Sequence, residues 1–133
     1  MRGRLEYGDG REAEERIYPN LNTEWPRLLY HRHFMLSESL HNRYVPRLPP
    51  PELAGNAEQI QRWRAARQEY ERLRDSYVTH LKASSDAREV TITRVEHRPP
   101  TPYEFLGGLR LDDRTLFANL PDDESGEALT WSP

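Results

Sequence analysis

The sequence predicts an α+β fold, mostly α, in which two long helices form an antiparallel hairpin and a small C-terminal strand and short-helix segment packs on it. Three observations predict it. Two segments, 23–45 and 57–84, repeat apolar side chains at spacings of three and four, the period of one helix face. Three consecutive prolines, Pro49 to Pro51, separate them and force a break. A β-branched run, Val90-Thr91-Ile92-Thr93-Arg94-Val95, follows the second segment and reads as a strand.

Residues 1–20 are polar, charged and glycine-containing, and read as a flexible N-terminal arm that closes on a Tyr18-Pro19-Asn20 turn. Residues 21–120 read as a single small domain. Its first helix starts near Thr23, with Asn22 or Thr23 as cap, Glu24 at the positive end and Pro26 in the first turn. The apolar stripe is Trp25, Leu29, His33, Leu36, Leu40 and Tyr44, with Leu28 and Met35 widening it, and Pro46 ends the helix. Residues 46–55 form a proline-rich connector. The second helix opens at Asn56, which caps while Gln59 reaches back. Its stripe is Ile60, Trp63, Arg67, Tyr70, Leu73, Tyr77 and Leu81.

In residues 88–120 one strand is expected at 90–95, with a pairing candidate at Leu109-Arg110-Leu111, because a lone strand is not stable. Between them Thr101 and Glu104 spell a capping box, Pro102 takes the first helical position and Gly107 ends a helix of about five residues. Asp112 or Asp113 caps one more turn. Residues 121–133 read as a disordered acidic tail.

Composition narrows the function classes. The 133 residues carry 35% hydrophobic and 31% charged side chains and a net charge of −3, so no bulk basic field draws the chain to nucleic acid or anionic lipid. Cysteine is absent, which removes disulfides, thiolate metal sites and a cysteine nucleophile. No apolar run reaches the roughly 18 residues of a membrane span, and residues 1–16 lack the apolar core of a secretory signal. A reducing, cytoplasmic setting is the expectation. Arginine supplies all the cations except Lys82.

Chemical motifs are sparse. There is no phosphate-binding P-loop, dinucleotide glycine fingerprint, Gly-x-Ser-x-Gly elbow or His-Glu-x-x-His. His31 and His33 stand two apart, which on a helix points them about 200° apart, so they cannot grip one ion. Glu38-x-x-His41 has the spacing of a di-iron motif but lacks the second copy that chemistry needs. His33 and His80 lie on or beside the stripes, where antiparallel packing brings them near one another; they are the metal or general-base candidates. Trp25, Tyr30, Tyr44, Trp63, Tyr70 and Tyr77 are the candidate interaction surface, since aromatics dominate contact sites. Arg62, Arg64, Arg67, Arg72 and Arg74 are the candidate nucleic-acid ridge, weakened by the interleaved Glu58, Glu69, Glu71 and Asp75.

The reading that follows is a non-catalytic protein-interaction or accessory module, bound to a protein partner or to itself, with no cofactor. The alternatives are a small metal-binding protein or enzyme using His33 and His80, and a nucleic-acid binder through the Arg62–Arg74 ridge.

Overall fold

The computed structural model describes residues 1–20, 22–24 and 27–120. In chain order the elements are β1 (Arg2–Glu6), β2 (Glu14–Ile17), α1 (Arg27–Asn42), a 3-10 turn (Pro51–Leu53), α2 (Ala57–Ser85), β3 (Glu89–Thr93), β4 (Val95–His97), α3 (Pro102–Leu106), a second 3-10 turn (Arg114–Leu116) and β5 (Phe117–Asn119). The class is α+β: three helices with two small antiparallel sheets.

α2 forms where its signals lie. The Asn56 side chain accepts from the Gln59 N–H at 3.1 Å, and Asp86 ends the helix in the left-handed conformation, φ 57°, which Asp tolerates better than most residues. Arg67, Tyr70, Tyr77 and Leu81 are buried, while Ile60, Trp63 and Leu73 are half-buried, as the stripe requires. α1 starts later than expected. Asn22 to Glu24 form a turn on Asn20, with Glu24 N–H donating to the Asn20 carbonyl at 3.0 Å, so Thr23 is not a helix cap. The helix ends before Pro46 as expected. Leu28 and Met35 do not widen the stripe and are exposed, because at 100° per residue they project about 140° to 160° away from His33.

The N-terminal arm is a correction: residues 2–6 and 14–17 are strands, and β1 is the central strand of a sheet ordered β2-β1-β3. β1 pairs with β2 from Arg2↔Ile17 to Leu5↔Glu14, and with β3 from Arg2↔Thr93 to Glu6↔Glu89. Only Gly3 and Leu5 of β1 face inward, so two small clues carried the strand. A Cβ at Gly3 would stand 3.1 Å from the Tyr18 ring, so a larger residue there requires that ring to shift. The strand expected at 90–95 is likewise divided. β3 ends at Thr93, Arg94 turns inward with its guanidinium 3.3 Å above the Tyr44 ring, and β4 begins at Val95. The partner of β3 is β1, not Leu109-Arg110-Leu111, which lies outside any strand; β4 pairs instead with β5, Val95↔Asn119 to His97↔Phe117.

One core joins both parts. Met1, Leu5, Tyr18, Leu40, Tyr70, Tyr77, Leu81, Ala87 and Val90 pack together, drawing side chains from the sheet and from both long helices. A fully buried leucine such as Leu81 contributes roughly 1.5–3 kcal/mol by leaving water. His33 of α1 meets His80 of α2 at 6.1 Å, and just past α1 Tyr44 meets Tyr70 at 5.5 Å and Arg43 meets Glu69 at 3.1 Å. The acidic segment 121–133 lies outside the described residues.

Candidate functional site

The most polar part of the core is built around His33. Its position on the buried face of α1 places the imidazole against Tyr18 (ring centroids 5.1 Å), Tyr77 (6.1 Å) and His80 (6.1 Å). The turn before α1 delivers Glu24. The His33 Nδ1 lies in hydrogen-bond contact with Glu24 Oε1 at 2.6 Å, and both residues are only 5% exposed. The Ser37 hydroxyl closes the group by donating to the Tyr18 carbonyl at 3.4 Å.

Three polar atoms of this cluster are enclosed without a hydrogen-bond partner among the described residues: Glu24 Oε2, His33 Nε2 and the Tyr77 hydroxyl. Burial, reinforced by the charge on Glu24, pushes the Tyr77 phenol well above its ordinary range, and burial also raises Tyr18. Both phenols therefore stay protonated at neutral pH. The arrangement resembles a carboxylate-oriented base in its hydrogen bonding, but Nε2 presents no surface to solvent, so an external substrate does not touch it in this conformation. His80 is exposed at the rim. Among the described residues no group of three or more His, Asp or Glu side chains converges to hold a metal ion. The structure thus brings His33 and His80 together as the stripes anticipated, and adds Glu24, which the sequence assigned to a helix terminus.

The aromatic candidates divide differently from the expectation. Tyr70 and Tyr77 are buried inside the protein and offer no contact surface; helical spacing marked them correctly as one face, but that face meets the sheet and α1. Tyr30, Tyr44 and Trp63 are half-buried, and Trp25 lies outside the described residues. The arginines do not form a common ridge. Arg67 is buried, donating to Glu71 at 2.9 Å and to the Val45 carbonyl at 2.7 Å. Arg62 pairs with Glu58 and Arg74 with Asp75, while Arg64 and Arg72 are exposed.

The exposed apolar side chains lie elsewhere. Leu28, Phe34 and Met35 face water on α1. A denser set occupies the knuckle between β4 and β5: Tyr103 is 87% exposed and Leu106 83%, with Phe105 and Leu111 also exposed. The knuckle is tightly organised. Thr101 and Glu104 make the complete capping box, and the Arg98 guanidinium donates twice to Glu104 at 2.9 Å. His97 stacks on Phe117 at 4.4 Å and its Nε2–H donates to the Leu111 carbonyl at 3.0 Å. Sequence reasoning found this helix but not the exposure of its apolar side chains. The available signal was that five residues with three large apolar side chains cannot bury them all.

Comparison of the chain with models of protein families, with characterised proteins and with solved structures finds no match. Among the described residues no helix is long and apolar enough to cross a membrane.

Proposed function

We propose that this chain is a non-catalytic interaction or accessory module whose contact surface is the α3 knuckle. One observation carries the reading: Tyr103, Phe105, Leu106 and Leu111 stand in water on a backbone locked by the Thr101–Glu104 box and the Arg98–Glu104 pair. Apolar side chains held outward contribute little to folding, and a preorganised backbone lowers the entropy lost on docking. The partner is a protein with an apolar pocket rimmed by polar groups, since Arg98, Arg110, Asp112 and Glu104 surround the knuckle as paired charges.

In this reading α1 and α2 pair as an antiparallel helical hairpin that carries the knuckle. What supports it is the order of contacts: Tyr44, just past the end of α1, meets Tyr70, and His33, within α1, meets His80, later in α2. The enclosed Nε2 of His33 and the lack of a three-residue ligand group among the described residues weigh against the enzyme and metal readings.

The test is site-specific photo-crosslinking in the cells that make the protein. A benzophenone side chain replaces Leu106 in one chain and the exposed Gln68 of α2 in another. A discrete adduct from position 106 with none from position 68 is expected. No adduct at 106, or the same adducts at both positions, contradicts the knuckle as contact surface.

A further inference from the structure

The three-stranded sheet has two outer strands, and they differ in a way that bears on association. β2 reads Glu14-Glu15-Arg16-Ile17, three charges in four residues. An edge crowded with charge resists pairing with another strand. β3 reads Glu89-Val90-Thr91-Ile92-Thr93, and from Val90 to Thr93 it has neither charge nor proline. Among the described residues only β1 lies beside it. Beside β3 lies a groove of about 240 Å³ lined by Leu40, Tyr70 and Val78 together with Arg74, Asp75 and Arg94. A strand of β-branched residues with one side unpaired among the described residues, and room next to it, is a template for a further strand.

The sequence of β3 says which strand. Residues opposed across an antiparallel pair share a face, so two copies of β3 can meet only in registers that keep Val90 and Ile92 on the core side. The register that overlaps all five residues is centred on Thr91. It sets Val90 against the partner copy's Ile92, Thr91 against Thr91, and Glu89 against Thr93. The apolar pair extends the buried face, the threonine pair suits a strand position, and the single charge never meets its like. Val90 is already buried and Ile92 half-buried, so both copies bring their apolar side to the same face. We propose that this chain self-associates through β3, two copies joining edge to edge across a twofold axis at Thr91 into one continuous antiparallel sheet ordered β2-β1-β3-β3-β1-β2. This rests on the interaction reading above and names a second copy of the chain as one partner, at a surface separate from the knuckle.

The experiment uses the full chain in sedimentation equilibrium with light scattering. Thr91 is exposed on the outer face and lies beside Arg4 of β1, so the variants T91K and T91E change a surface position, and circular dichroism with thermal melts checks that each remains folded. The wild-type chain is expected at twice its 15.7 kDa mass. T91K alone and T91E alone each place like charges opposite one another, and a loss of at least about tenfold in dimer affinity is expected for each. Mixing T91K with T91E restores the dimer by pairing opposite charges. A wild-type chain that stays monomeric at millimolar concentration overturns the proposal, as does a dimer that neither folded variant weakens. Neither result touches the knuckle, whose crosslinks at position 106 are read separately.

Discussion

Glu24 and His33 are nine residues apart, one in a turn and one on a helix, yet they form the one buried carboxylate–imidazole contact among the described residues. Taking two such groups out of water gains little net stability, but removing one partner strands the other. Glu24→Leu together with His33→Leu is therefore expected to leave stability near the wild type. His33→Ala alone is expected to lose about 3–5 kcal/mol, because the carboxylate stays buried without its donor. Urea denaturation measures both. A single-variant loss under about 1 kcal/mol contradicts the buried pair, since a surface pair gives that value. His33 was legible from its place on the stripe, and so was Arg67, a charged residue that the helical period turned inward. Glu24 was not, because its partner lies on the following helix and a carboxylate before a helix has an adequate local explanation as a dipole partner.

At the scale of elements, local signals gave local structure. The caps at Asn56 and Thr101 accept the backbone N–H three residues on, as their spacing predicts, and of the two cap candidates Asp112 and Asp113 it is Asp113 that accepts, from Thr115. β1 and β2 were hidden because nothing in residues 1–17 alternates strongly, and because β1 finds its second partner some 90 positions later, at Glu89 to Thr93. α3 also carries a pH prediction. Two hydrogen bonds from Arg98, then those from Thr101, hold the Glu104 carboxyl down at about 2. A carboxyl lowered in the folded state stabilises it above the ordinary range and loses that effect as pH falls through the lowered value. The knuckle should thus keep its capping box from pH 7 through pH 4 and lose it only near pH 2. The measurement is the Glu104 side-chain carboxyl carbon shift by NMR, followed with the α3 amides. A midpoint near 4.5 contradicts this geometry.

For the whole molecule, periodicity identifies a face but not what covers it. The α2 stripe was read as a place where a partner docks, and the protein covers it itself, with Leu5, Tyr18 and Val90 from the sheet and loop and Leu40 from α1. With Tyr70 and Tyr77 taken up by folding, the knuckle and the edge of β3 are the surfaces proposed above for association. Stability and contact then reside in different side chains, which predicts that they separate on substitution. The most direct measurement is the partner-adduct yield at position 106 in a chain also carrying Tyr103→Ser and Phe105→Ser, compared with the unsubstituted chain at equal thermal midpoint. A fall of about tenfold or more with an unchanged melt is the predicted result, the size expected when apolar anchors are removed from a docking surface. An undiminished yield, or a collapse of the melt on substituting these exposed residues, contradicts the account.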